Sequence, residues 1–293
     1  MRTDESRLIG LVDKARALSR ERKYLHAEQI YHRLIREEPE FVTAYTDLAA
    51  LYQETNRLGE STAILHAACG RFPANAGITF MLGNAHLRQR HYGRALSCYK
   101  QIANEKLPHV HFNMGIAHLS QGNMRAAEEQ FRTTMRLDHD FPQVHEFLGE
   151  LLIARKAFAE AVKHLRRAVT GNPYASGSHH LLGIALRAMG DVESAYEEFV
   201  TSIDTDPQNP QCWQRCGETL LAMKRLDEAE KYLRKALDLD PKCVDALANL
   251  GQIHFLRGER ARSEEYFAKA LELDPHNPTA RIGRLHTRNS KKN

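Results

Sequence analysis

No apolar run approaches the roughly 18 residues that a membrane-crossing helix needs. That absence excludes a bilayer span. Aromatic residues make up only 8% of the 293 residues, and tryptophan occurs once, at Trp213. Five cysteines are too few and too scattered for a disulfide-stapled mini-protein, and no paired zinc-type spacing joins them. Cys69 and Cys98 stand far from Cys212, Cys216 and Cys243. The expectation is reduced, packing thiols in a cytoplasmic protein, or a periplasmic one if a signal segment has been removed. Phosphate-binding glycine loops, metalloprotease helices and nucleophile-elbow serines are missing as well. Paired acids such as Glu197-Glu198 and Glu264-Glu265 recur on a solvated helix face, so no enzyme and no cofactor is expected.

Charge of one sign is scarce except at one end. Lys and Arg number 41 against 37 Asp and Glu. Residues 275–293 hold Arg281, Arg284, Arg288, Lys291 and Lys292 and no acid, which leaves the remainder near neutral. A near-neutral body argues against a nucleic-acid track, although the basic tail keeps a nucleic-acid-associated repeat as a lesser alternative.

What is present is repetition. Prolines 39, 73, 173, 207, 241 and 275 are separated by 34 residues, apart from one longer gap. At the same period a small-residue column holds Ala27, Ser61, Ala95, Ala127, Ala161, Ala195, Ala229 and Ser263. Gly83, Gly115, Gly149, Gly183, Gly217 and Gly251 form a second column, with Ala15 and Ala49 in the same place. A third, always sixteen residues later, holds Tyr31, Leu65, Tyr99, Phe131, Leu165, Phe199, Leu233 and Phe267. Within each unit the apolar spacing is three and four, which is helical. Gly122, Gly190 and Gly258 sit where a C-cap is wanted, and Asn209-Pro210 and Asn277-Pro278 read as N-cap and first helical residue. Each unit is therefore an antiparallel hairpin of helices A and B. The small columns let the pair approach, and the large column fills the gap.

These columns resemble the tetratricopeptide repeat family, best matched by Trp213, Cys216, Gly217, Leu220, Ala229, Leu233, Ala236 and Pro241. The repeats fall at 8–41, 42–75, 76–107, 108–141, 142–175, 176–209, 210–243 and 244–277. The third is two residues short near Glu105-Lys106-Leu107-Pro108, and the fourth has His139 in the place of proline. Residues 1–7 read as an extension, 278–289 as a solvating cap helix with Ile282 and Leu285 as its apolar positions, and 290–293 as a basic disordered tail. The resemblance implies an all-α, right-handed superhelical solenoid that acts as a non-catalytic adaptor for a protein or peptide partner.

In the family, helices A line a concave, peptide-binding groove. Carried over position by position, the lining is Phe80, Met81, Asn84, Phe112, Asn113, Glu146, Phe147, Glu150, His180, Leu181, Arg215 and Glu218. Phe80, Phe112 and Phe147 are the expected apolar anchors, with Glu146 and Glu150 orienting a partner that also carries basic residues. A chaperone-type carboxylate clamp is not expected: Asn84 and Asn113 match it, but Phe80, Gln143 and Phe147 replace its cations. An asparagine ladder also fails, since only Asn113 and Asn249 meet it. Self-association, including a homodimer through the same apolar face, is the main alternative. His111, His145 and His179 share the place of Trp213, so half-buried packing or a zinc or nickel site are both open, with packing preferred. Trp213 itself is expected in the core.

Overall fold

A computed structural model describes residues 2–289. The chain divides into two compact units, Met1–Phe141 and Pro142–Asn293. The first holds α1 (Arg2–Arg20), α2 (Tyr24–Glu37), α3 (Val42–Glu54), α4 (Leu58–Arg71), α5 (Ala76–Arg88), α6 (Tyr92–Ile102), α7 (Pro108–Ser120) and α8 (Met124–Leu137). The second holds α9 (Pro142–Ala154), α10 (Phe158–Gly171), α11 (Ser176–Ala188), α12 (Val192–Thr205), α13 (Pro210–Ala222), α14 (Leu226–Leu239), α15 (Val244–Leu256), α16 (Arg260–Leu273) and α17 (Pro278–Asn289). Among the described residues there is no strand. Odd-numbered A helices pair with the B helix that follows, and within each unit each B helix also packs on the next A helix. The fold is an all-α repeat solenoid.

The column residues meet as the spacing requires. Phe131, Phe199 and Phe267 are fully buried, and so are Leu165 and Leu233. A Cβ on Gly183 would stand 2.6 Å from the Phe199 ring, and one on Gly251 2.6 Å from Phe267. Glycine is therefore required by contact rather than by backbone angle: helix A lies directly against the flat side chain of helix B. Burying each such ring removes about 1.5–3 kcal/mol of apolar exposure from water.

The turns between helices A and B need a left-handed residue. Gly122, Gly190 and Gly258 supply it with φ of 77°, 89° and 77°. Elsewhere Arg22, Asn56, Arg90, Lys156 and Lys224 take φ near 60° in the same role, against the preference of a residue with a Cβ. N-caps follow the sequence reading: Gln211 N–H donates to Asn209 Oδ1 at 3.0 Å and Ala280 N–H to Asn277 Oδ1 at 3.0 Å. The shortened third repeat is absorbed by a single 3-10 turn, Ala103–Glu105, followed by Lys106 at φ 53°.

The prolines have a second use. Tyr45 Oη donates to the Pro39 carbonyl at 3.2 Å, and Trp213 Nε1 donates to that of Pro207 at 3.0 Å. His179 Nε2 lies 3.0 Å from the Pro173 carbonyl in the same arrangement. One side chain near the start of each of these A helices thus ties it to the preceding turn. Trp213 differs from expectation, being only half-buried, because its indole edge must reach that turn while its face rests on Tyr232.

Both ends of the described chain are helical. Helix α1 already begins at Arg2, and Arg7 pairs with Glu37 at 3.8 Å, so the helix runs through most of the expected extension. At the other end α17 packs through small residues, with Ala280 buried and Gly283 against Phe267. Ile282 and Leu285 are left 55% and 59% exposed, so the apolar positions of this helix face outward. Residues 290–293, the expected tail, lie outside the described residues.

In the first unit a charged network joins α2, α3 and the start of α4. Glu28 accepts from Tyr52 Oη at 2.8 Å and from Arg57 Nη1 at 2.7 Å, and the Arg57 guanidinium lies 4.4 Å from the Tyr52 ring centroid. The Arg57 hydrogen bond holds the Glu28 carboxyl below the usual carboxylate range, against the opposing effect of burial.

Three outcomes follow from this packing. Gly183→Ala should destabilise the chain by about 1–3 kcal/mol in urea unfolding, since Phe199 has nowhere to retreat. Lys224→Gly should act in the opposite direction, stabilising by about 0.5–1 kcal/mol, because it relieves the left-handed turn. Because the folded-state pKa of Glu28 is depressed, its contribution is present above the usual carboxylate range and lost as pH falls through the folded value. Wild type should therefore exceed Glu28→Gln in stability at pH 7, and the gap should close on acidification toward pH 3.

Candidate functional site

The residues expected to line the helix-A face fall into separate sets in the two units. In the first unit, one hydrogen bond joins Asn84 on α5 to Asn113 on α7: Asn113 Nδ2 donates to Asn84 Oδ1 at 2.7 Å. The same oxygen accepts from Tyr99 Oη at 2.7 Å. Burial pushes the Tyr99 phenol up, so it stays a protonated donor. The amide hydrogen bonds that would hold a carboxylate are thus partly spent inside the array. Phe80 is half-buried with its ring 6.0 Å from Tyr99, and Met81 packs on the neighbouring core cluster.

Phe112 requires a correction. It is only 9% exposed, with its ring 4.9 Å from Phe141 and 5.7 Å from Phe131. Phe141 follows α8 and folds back over α7, a contact outside the hairpin columns. Phe112 is thereby a packing residue in this structure, not an open anchor.

In the second unit, Glu146 on α9 accepts from Ser178 Oγ on α11. Phe147 and Leu181 are half-buried, and Glu150 is exposed. His180 faces the Phe199 ring at 5.7 Å and lies 3.5 Å from Cys212 Sγ. Burial, with a smaller push from the Arg215 charge, lowers its imidazole to about 4. His180 is neutral near pH 7 and brings no positive charge to this face.

Glu218 on α13 is the electrostatic centre. Its Oε1 pairs with Arg187 Nη1 on α11 at 2.6 Å, and its Oε2 with Arg215 Nη1 at 2.9 Å. Gln214 Nε2 adds a third donor at 3.1 Å. Burial alone would raise its carboxyl, but the Arg187 hydrogen bond and the two guanidinium charges hold it below the usual range. Such charge-assisted bonds fix the relative placement of α11 and α13. Ser178 and Arg187 were not singled out from sequence, and Tyr99 was read only as a packing residue of the large column. Arg187 occupies the twelfth place of its repeat, a position the family pattern does include, so a complete reading of that place would have found it.

The histidines sharing the place of Trp213 have other partners. His111 Nδ1 is 2.8 Å from Gln130 Oε1, His145 Nδ1 is 3.0 Å from His164 Nδ1, and His179 Nδ1 is 2.6 Å from Glu198 Oε2. Among the described residues no group of three or more His, Cys, Asp and Glu has the placement to hold a metal ion. No described helix is long and apolar enough to cross a membrane. All five cysteines are free thiols, and burial pushes those of Cys98, Cys212 and Cys216 up. That makes them packing groups rather than nucleophiles.

Comparison with known proteins gives the same architecture. A family model described as tetratricopeptide repeat matches residues 112–176 and 217–278, and one described as anaphase-promoting complex, cyclosome, subunit 3 matches 154–236. A curated relative, the E3 ubiquitin-protein ligase CHIP of Arabidopsis thaliana, is 27% identical over 89 residues. That match spans 30% of this chain and only 32% of the relative. Among solved structures, YrrB, described as a TPR protein with an unusual peptide-binding site, superposes with a TM-score of 0.56 at 19% identity, covering 65% of this chain and 96% of that one. The APC/C hetero-tetramer Cut9–Hcn1 gives a TM-score of 0.62 at 15% identity, over 94% of this chain and 55% of its own. At these identities the two structural likenesses show the fold. With the eight-fold recurrence of its hairpin columns, the chain belongs to the tetratricopeptide repeat family.

Proposed function

We propose that the chain is a non-catalytic interaction scaffold that binds an extended or helical peptide segment on the helix-A face of its second unit. The observation that carries this reading is the combination found on α9, α11 and α13. Half-buried Phe147 and Leu181 stand on helices whose side chains are held by the Glu146–Ser178 and Arg187–Glu218–Arg215 contacts, beside the exposed carboxylate of Glu150. A surface fixed in this way loses little freedom on binding, so the partner's apolar contacts are converted efficiently into affinity. Phe147 and Leu181 are the anchors in this reading, and Glu150 orients a Lys or Arg beside the partner's apolar residue. Phe80 and Met81 form a separate, smaller apolar strip in the first unit, and Phe112 drops out of the anchor set.

Self-association is the alternative, and exposed Ile282 and Leu285 on α17 favour it. Cytoplasmic location and an adaptor role remain part of the proposal, supported by the free thiols and by the peptide-binding site described for YrrB, which shares this fold.

Selection of a random peptide library on the full chain tests the reading. Peptides with an apolar residue flanked by Lys or Arg should be enriched. Phe147→Asp should weaken the selected peptides by about 30-fold, equivalent to ~2 kcal/mol, while circular dichroism stays unchanged. Glu150→Lys should remove the preference for basic flanks and keep the apolar one. A motif that survives both substitutions unaltered overturns the assignment of this face.

A further inference from the structure

One cavity in the first unit differs from the rest of the surface in its chemistry. It is an open cleft of about 750 Å³ between α4 and α6 with α5 as its floor. Its walls include His86, His66, Arg94, Gln101, Cys69 and Cys98, and among the described residues no carboxylate lines it. Other arginines near a hairpin junction do have an acidic partner, as Arg57, Arg187 and Arg257 show. Arg94 has no ion pair among the described residues.

His86 is the second observation. It is 7% exposed, and its Nδ1 is buried without any hydrogen-bond partner. The same place of the hairpin is histidine twice more. His254 Nδ1 is bonded to Glu259 Oε2 at 2.9 Å. His118 Nδ1, like that of His86, is buried without a hydrogen-bond partner, but its ring is faced by Glu129 as well as by Lys100. His86 instead meets only neutral or positive groups. His66 faces it from α4, while Arg94 from α6 and His91 at the start of that helix face it on the other side, the His91 ring 6.1 Å away. Burial, reinforced by Arg94, His91 and His66, pushes the His86 imidazole down. A buried nitrogen without a partner costs free energy that a suitable ligand restores. The missing element is negative charge.

We propose that this cavity binds an oxyanion, a carboxylate or a phosphate, between the Arg94 guanidinium and the imidazoles of His86 and His66. Arg94 supplies a permanent charge and a planar fork of donors. The His86 imidazole takes up a proton once the anion is in place beside it, so binding draws a proton into the site. The thiols of Cys69 and Cys98 stay protonated, since burial pushes both up, and do not repel the ligand. The site uses none of the residues on the helix-A face of the second unit, so it can fail or hold independently of the peptide-binding reading.

The test is a titration of the full chain at pH 6.5 and constant ionic strength, following the histidine Cε1–H resonances by NMR. Inorganic phosphate and acetate are the two probes, and sodium chloride is the reference. A saturable shift of the His86 signal, with its titration midpoint moving upward as anion is added, supports the site. Saturation at lower phosphate than acetate assigns a phosphate group, and the reverse order a carboxylate. Arg94→Gln, on the exposed side of α6, should weaken the response at least tenfold. His86→Leu, which copies Leu152 and Leu186 at the same place, should retain the fold and abolish proton uptake. No saturable shift beyond chloride, or the same dissociation constant in Arg94→Gln, overturns the proposal.

Discussion

The whole array rests on the distance of closest approach between the two helices of a hairpin. Where helix A carries glycine, its backbone lies against the face of a buried ring or leucine from helix B, as Gly183 does against Phe199. That contact sets how the B helix is presented to the next A helix. It also sets which A-helix positions point away from the packing. A single added methyl group at such a place changes both, because interiors packed at crystal density cannot absorb it locally. Binding surfaces in this chain are thus by-products of a spacing decided inside each hairpin.

The polar contacts form a second layer over this frame. Asn113 to Asn84, Ser178 to Glu146 and Arg187 to Glu218 each join one A helix to the next within a unit. Each uses donors or acceptors that a ligand would otherwise find. The first unit spends part of its amides in this way, and the second spends two carboxylates, Glu146 and Glu218, while leaving Glu150 to solvent. Recognition is left to whatever the internal network does not consume. The cavity between α4 and α6 is the complementary case, a place where that network has no acid to offer.

The hairpins, turns and caps were legible because each follows from contacts within about 34 residues, repeated until chance is excluded. Gly190 at φ 89° and the Asn209 cap are local consequences of local residues. Phe112 was not legible: the ring that buries it, Phe141, belongs to no column of the pattern. Trp213 was half legible, since the repeat places it near the core but not its reach to the Pro207 carbonyl. The isolation of His86 escaped notice for a different reason. A histidine in a repeated place looks the same in sequence whether Glu259 or Arg94 stands beside it.

The left-handed turns carry a longer period than the hairpins themselves. From the fourth hairpin onward, glycine occupies the turn at 122, 190 and 258, while lysine occupies it at 156 and 224. The large column alternates in step, with Phe131, Phe199 and Phe267 in the glycine hairpins and Leu165 and Leu233 in the lysine hairpins. Two unrelated positions, one at a solvent-facing turn and one in the core, keep the same beat. Along this stretch, then, packing repeats with every hairpin while these two sequence features repeat with every second one.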